Sequence, residues 1–108
     1  MASRHTLIFI GGDPPHPNVR QHLPTDAYVI AADSGYANAV ALGFVPNELV
    51  GDMDSITAVD LSDARDSNVL ISQFPNDKDL TDTEIAISSA LKHLSSHITV
   101  VSGGGDRF

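Results

Sequence analysis

The 108-residue chain contains no cysteine and no tryptophan, and aromatic residues make up only 6% of it. Without cysteine the chain cannot form a disulfide framework, a thiol redox site or a thiolate zinc site. Oxygen atoms are therefore the expected ligands for any metal ion. The lack of cysteine is also compatible with a reducing compartment, and we expect a cytoplasmic protein.

Basic residues are scarce as well. Six Lys and Arg stand against fourteen Asp and Glu, which gives a formal net charge of −8. Such a surplus repels phosphate backbones and anionic lipids, so we expect neither nucleic acid nor membrane among the partners. No apolar run approaches the roughly 20 residues that a membrane span needs. The apolar stretch near the start is also too short for a signal peptide, so we predict no targeting segment.

Short apolar segments alternate with segments of helical character along the whole chain, whose length suits one domain. Buried strands are predicted at residues 7–10, 28–32, 49–50, 69–71 and 98–101. Helices are predicted at residues 18–23, 34–42, 57–65 and 81–94, the last beginning with a capping box formed by Thr81 and Glu84. This alternation predicts an α/β fold with a doubly wound, Rossmann-like, mostly parallel sheet that carries helices on both faces.

Most of the acidic residues are aspartates, which favour turns, caps and metal sites. Eight of them follow the carboxyl ends of the predicted strands: Asp13, Asp33, Asp52, Asp54, Asp77, Asp79, Asp82 and Asp106. Ligands of open α/β sheets bind at that edge. Clustered carboxylates repel one another, and a magnesium ion relieves the repulsion. Glycines at the same edge let backbone N–H groups approach phosphate oxygens. Together these features predict a magnesium nucleotide site.

Each motif also has an ordinary structural interpretation. Residues 51–55 are equally consistent with a turn that caps a helix, and residues 77–82 with a solvated charged run ahead of a helix. Residues 33–35 are likewise consistent with a helix cap. The glycine spacing of a Rossmann fingerprint is missing, as is the P-loop motif. His93 and His97 are spaced for one helix face, but His97 is expected beyond the helix end. No single motif therefore decides the function.

Taken together, several separated blocks resemble the thiamine pyrophosphokinase family in order and spacing. The blocks are Asp33-Ser34-Gly35 with Ala37-Asn38, Leu42-Gly43, Pro46, Gly51-Asp52-Met53-Asp54-Ser55-Ile56, Phe74-Pro75 and Asp77-Lys78-Asp79-Leu80-Thr81-Asp82-x-Glu84. The resemblance runs from about residue 28 to the last residue. Two departures keep every carboxylate, since the family has Asp-Gly-Gly at residues 33–35 and Phe or Leu at Met53. The family's closing motif, Gly-Gly-Arg-x-Asp-His, is represented only by residues 105–108.

The resemblance implies magnesium-dependent transfer of a pyrophosphoryl group from ATP to the hydroxyl of thiamine, which gives thiamine diphosphate and AMP. The family's catalytic positions correspond to Asp52, Asp54, Asp79 and Asp82, with Asp79 as an acid or base near the hydroxyl. Its magnesium ligands correspond to Asp33, Asp52, Asp54 and Asp82. Its ATP contacts correspond to Ser34, Gly35, Ser55, Lys78, Thr81, Gly103, Gly104, Gly105 and Arg107.

The resemblance also carries expectations about organisation. Residues 1–108 are expected to form the ATP- and magnesium-binding catalytic domain, cut short at its C-terminal end, without the family's C-terminal β-sandwich domain. The full-length protein is expected to be a homodimer whose small-molecule substrates are ATP and thiamine. Two alternatives stay open. One is a related diphosphokinase that acts on another alcohol, such as a pterin, and the other is a non-catalytic nucleotide-binding module of the same fold.

Overall fold

A five-stranded sheet forms the centre of the computed structural model, which describes residues 5–11, 16–23, 26–51, 56–73, 82–92 and 97–101. In chain order the strands are His5–Phe9 (β1), Tyr28–Ala32 (β2), Glu48–Gly51 (β3), Leu70–Gln73 (β4) and His97–Val101 (β5). They lie in the order β4-β3-β2-β1-β5, and every neighbouring pair is parallel. The predicted α/β fold is therefore confirmed, and the described sheet is parallel throughout.

Helices cover both faces of this sheet. They are Gly35–Ala41 (α1), Ala58–Asp66 (α2), Asp82–Lys92 (α3) and a 3-10 helix, Pro17–His22. Successive strand residues face opposite sides, so Phe9 packs against α1 through Ala39, whereas Ile8 packs against α3 through Ala86. The helix α2 lies on the α1 face, where its Ala64 joins a separate apolar cluster. Among the described residues, no helix is both long and apolar enough to cross a membrane.

The strand order reverses beside β1. From β1 to β4 each new strand is added on one side, and β5 then returns to the free side of β1. The helix before β5 accordingly lies on the opposite face, as right-handed crossovers require. In doubly wound sheets a ligand crevice opens where the order reverses, outside the carboxyl ends of the strands. A ligand is therefore expected to bind at the carboxyl ends of β1 and its neighbouring strands.

The observed elements agree closely with the predicted ones, with small differences at the ends. The first strand ends at Phe9, one residue earlier than predicted. The segment predicted as a short helix near residue 20 is a 3-10 helix, which suits its proline at the first position and its brief length. Of the predicted capping box, Thr81 lies outside the described residues. His97 begins β5, so the expectation that it lies beyond the helix is confirmed.

Candidate functional site

The carboxyl ends of the central strands meet at one side of the sheet, which we call the carboxyl edge: the ends of β1, β2 and β3 with residues 10–11 and 33–35. Phe9 is in register with Ala31 of β2 and with Val101 of β5, so the three strands end at the same level. Gly51, the last residue of β3, has a φ of 129°. A glycine accepts this backbone conformation, which is unfavourable for other residues.

Asp33 is the buried acid of this edge. It is 3% exposed and has a φ of 50°, in the left-handed region that few non-glycine residues adopt. Its backbone N–H donates to the carbonyl oxygen of Val50 at 2.8 Å, and its own carbonyl accepts from the N–H of Tyr36 at 3.1 Å. These bonds hold the strained residue between β2 and α1. Strain of this kind concentrates at binding sites, where it fixes a side chain in one position.

Ser34 and Gly35 lie at the start of α1, close to the predicted start at residue 34, but Ser34 is not an ordinary helix cap. Ser34 occupies the N-cap position, yet its side chain makes no capping hydrogen bond. A Cβ atom at Gly35 would overlap the carbonyl oxygen of Phe9, and one at Gly11 would overlap the hydroxyl oxygen of Ser34. Gly35 therefore requires glycine, because the backbone of β1 approaches it closely, whereas a side chain at Gly11 would require the hydroxyl of Ser34 to turn away.

Asn38 is the residue of this edge whose role the sequence did not reveal. It lies on the buried side of α1, 7% exposed, and its Nδ2 donates to the carbonyl oxygen of Ile10 at 3.0 Å. The sequence offered one indication of this role: Asn38 comes one helical turn after Gly35, on the helix face that also carries the buried Ala39. A polar side chain on a buried helix face needs a partner, and here the partner is the end of β1.

A second hydrogen bond, which is partly buried, connects α1 to α2. The hydroxyl of Tyr36, a residue only 1% exposed, donates to Oδ2 of Asp63 at 2.6 Å. Burial, followed by the hydrogen bond to Asp63, raises the pKa of Tyr36 to about 12. The tyrosine is therefore neutral at physiological pH and holds the first turn of α1 in place.

The opposite side of the sheet, which we call the amino edge, contains a different polar network. Glu48, at the start of β3, is 4% exposed. Its Oε1 accepts from the hydroxyl of Tyr28 at 3.0 Å, and its Oε2 accepts from the hydroxyl of Ser89 on α3 at 2.7 Å. Burial and the bond to Glu48 raise the pKa of Tyr28 to about 12. Also at this edge, the stacked rings of His5 and His97 lie 5.8 Å apart.

The structure places three of the predicted site residues together at the carboxyl edge: Asp33, Ser34 and Gly35. Asp82 is the first residue of α3, which returns from that side of the sheet toward β5. The other predicted site residues lie outside the described residues: Asp52, Asp54, Ser55, Lys78, Asp79, Thr81, Gly103, Gly104, Gly105 and Arg107. Within the described ranges, no three His, Asp or Glu side chains group as metal ligands. The larger part of the predicted site thus stays a prediction.

Comparison with known families gives one match of high coverage. The sequence model of the thiamin pyrophosphokinase catalytic domain matches residues 19–108. This range includes every residue predicted for the site. A comparison with curated proteins finds no match.

Solved structures share the fold. A thiamin pyrophosphokinase family protein from Enterococcus faecalis has 26% identity and a TM-score of 0.72, and the match covers 97% of this chain and 49% of that one. The thiamin pyrophosphokinase from Geobacillus thermodenitrificans has 25% identity and a TM-score of 0.73, with 95% and 48% covered. A protein from Lactobacillus plantarum has 29% identity and a TM-score of 0.70, with 99% and 50% covered. The chain spans about half the length of these structures.

Proposed function

The chain belongs to the thiamin pyrophosphokinase family, and on that premise we propose that it transfers the pyrophosphoryl group of ATP to the hydroxyl group of thiamine. The products are thiamine diphosphate and AMP. The observation that carries the proposal is the family match over residues 19–108, because it includes the buried, strained Asp33 at the carboxyl edge. A buried acid in a strained conformation at this edge is expected of a site that binds a ligand.

Magnesium is the proposed metal. The donor set consists of carboxylates, Asp33 at the carboxyl edge together with Asp52, Asp54 and Asp82, and oxygen ligands of this kind suit magnesium. Asp33 fits the role because backbone hydrogen bonds on both sides fix its position. A bound magnesium ion would neutralise charge on the phosphate oxygens and align the triphosphate.

The chain's own residues bind and orient the triphosphate in this proposal. Gly35 lets the start of α1 pack directly against the carbonyl of Phe9, which brings the ends of β1 and β2 together at the proposed phosphate site. Lys78 and Arg107 contribute positive charge to the phosphates. Further hydroxyl and N–H donors are Ser34, Ser55, Thr81, Gly103, Gly104 and Gly105. Such positioning and charge stabilisation account for most of the catalysis of phosphoryl transfer.

The proposed reaction is a displacement at the β-phosphorus of ATP. The hydroxyl oxygen of thiamine forms a bond to that phosphorus while the bond to the oxygen bridging the α- and β-phosphorus breaks. AMP leaves with the bridging oxygen, and Asp79 accepts the hydroxyl proton. In the same proposal, the protein at its natural length is a cytoplasmic homodimer, which light scattering and cell fractionation test.

Charge-removing variants test the proposal. In the protein at its natural length, Asp52→Asn and Asp33→Asn are expected to lower AMP formation from ATP and thiamine by at least about 100-fold, the effect of losing one charge-stabilising group. Asp66→Asn is the matched control, since it removes the same charge from an exposed position of α2. Circular dichroism checks that all three variants fold.

The outcomes separate the proposal from its alternatives. Unchanged turnover in both Asp52→Asn and Asp33→Asn would contradict the proposed site. AMP formation with a pterin alcohol but not with thiamine would show that thiamine is not the acceptor. Calorimetric binding of ATP with magnesium, without AMP under any acceptor, would indicate the non-catalytic module.

A further inference from the structure

The end of β1 and the start of α1 are fastened to each other by three contacts, and we call this region the β1–α1 joint: residues 9–11, 34–35 and 38. Asn38 donates to the carbonyl oxygen of Ile10 at 3.0 Å. Gly35 lies against the carbonyl of Phe9 too closely for a Cβ atom, and Gly11 lies against the side chain of Ser34. The joint thus connects the chain leaving β1 to the chain leaving β2.

Within the joint, Asn38 donates a hydrogen bond to the carbonyl of Ile10, which lies just beyond the paired residues of β1. Phe9 is the last residue of β1 in register with β2 and with β5. The N–H of Ile10 still donates to Val101 at 3.3 Å, and Asn38 supplies a donor to the carbonyl of the same residue. An amide 7% exposed needs such a bond, because an unsatisfied buried polar group is unfavourable.

We propose that Asn38 is a positioning residue for ATP: by holding Ile10, it fixes the backbone of Gly11 against Ser34 and beside the Asp33 turn. The inference rests on the proposed function. In this proposal Asn38 acts on the nucleotide through its hydrogen bond to Ile10, not by contact with the nucleotide itself. The segment from Ile10 to Gly11 lies where the strand order reverses, which is the place where ligands bind in doubly wound sheets.

A residue with a merely structural role would give a different result. If the bond only stabilised the fold, its loss would lower the unfolding midpoint and leave the ATP affinity of folded molecules unchanged. A positioning residue changes that affinity at temperatures where every variant is folded. The dissociation constant of ATP in the presence of magnesium is therefore the decisive readout.

The test uses Asn38→Asp and Asn38→Ala in the protein at its natural length, with titration calorimetry of ATP and magnesium well below the unfolding midpoint. Asn38→Asp keeps the size of the side chain but replaces the donor with an acceptor facing a carbonyl. We expect it to weaken ATP binding by about tenfold, the lower end for groups that orient a binding element. Asn38→Ala is expected to weaken binding in the same direction by a smaller factor.

Tyr28→Phe is the matched control. It also removes one side-chain hydrogen bond, to Glu48, but at the amino edge of the sheet. It is expected to lower the unfolding midpoint and to change the dissociation constant of ATP by no more than about twofold. The reason is that a change far from the ATP site acts independently of that site. Amide hydrogen exchange gives a second readout: exchange at Gly11 and Ser34 should accelerate in Asn38→Asp and not in Tyr28→Phe.

The outcomes distinguish this inference from the proposed function. Wild-type affinity in the folded Asn38→Asp variant would overturn the positioning role and leave the proposed function standing. If Asn38→Asp does not fold, wild-type affinity in Asn38→Ala overturns it in the same way. If the wild-type protein binds no ATP, the proposed function fails. In that case, unchanged amide exchange at Gly11 and Ser34 in the Asn38 variants would also show that Asn38 does not hold the backbone of the β1–α1 joint.

Discussion

Two acids are almost equally buried at opposite edges of the same sheet, and their surroundings differ. Glu48 at the amino edge lies in a regular strand, and its two carboxylate oxygens accept from side chains of β2 and α3. Asp33 at the carboxyl edge lies between a strand and a helix with a left-handed φ of 50°. The nearby Gly35 lies so close to the backbone of Phe9 that it tolerates no side chain. Burial alone therefore does not tell a structural acid from a candidate ligand.

The two edges of the sheet therefore have different roles in this domain. At the amino edge, side chains from separate elements stabilise one another, which is expected of a region that maintains the fold. At the carboxyl edge, close backbone contacts hold a strained acid, and strain of this kind is tolerated where a site needs it. Variants at the two edges should accordingly separate stability from ATP binding.

The largest expected effect is on stability, from Glu48→Ala. The substitution leaves the hydroxyls of Tyr28 and Ser89 without their shared acceptor, and we expect a loss of about 3 kcal/mol in the free energy of unfolding. Urea denaturation measures the loss. Glu48→Gln retains one acceptor and should lose less. A weaker ATP affinity in folded Glu48→Ala would contradict the independence of the two edges.

A smaller effect on stability, accompanied by an effect on binding, is expected for Gly35→Ala. The added methyl group overlaps the carbonyl of Phe9, so α1 must move away from β1 at a cost of about 2 kcal/mol. Calorimetry of ATP with magnesium should show weaker binding by the folded protein. Gly43→Ala, at the other end of α1, is the control. It has a φ of 87° but more room for a Cβ atom, with Nε of Arg20 at 3.4 Å.

That control is expected to lower stability through backbone strain and to leave ATP affinity unchanged. The two glycines thus test whether contact with β1, and not the integrity of α1 in general, matters for the site. Equal ATP affinity in the two folded variants would show that it does not.

The last effect is absent at neutral pH and is expected only in alkaline solution, where the tyrosines of the two edges should behave alike. Burial raises the pKa of both Tyr28 and Tyr36 from 10.0 to about 12. Their contribution to stability is complete below pH 10 and is lost as the pH rises through about 12, since the unfolded chain releases these protons first. Unfolding measured from pH 9 to 12 tests this. A Tyr28→Phe, Tyr36→Phe double variant should show a flatter profile, and an unchanged profile would contradict it.

The sequence predicted the sheet well because its strands are short apolar segments between turn residues. Residues such as Leu7 and Ile30 are fully buried, as their apolar character indicated. The position of Asp33 after β2 was also predictable from the topology of a parallel sheet. Its left-handed backbone was not, because residues 33–35 are equally typical of a helix cap.

The tertiary contacts were beyond sequence reasoning. Glu48 finds Tyr28 and Ser89 at distant positions of the chain, and nothing in the local pattern around it indicates a buried carboxylate. Asn38 was recognised only as part of a family motif. Its contact could not be predicted, because its partner is a backbone carbonyl and every residue has one. Contacts of this kind depend on how elements pack, and local periodicity carries no information about them.

The position of β1 has a consequence for how the domain folds. Its partner on one side, β2, begins at Tyr28, whereas its partner on the other side, β5, begins at His97. Closing so long a loop is entropically unfavourable, and contacts between distant segments form late. During synthesis one edge of β1 therefore stays unpaired until β5 has emerged. The crevice beside β1 is completed only when β5 docks, so this part of the candidate site is expected to form last.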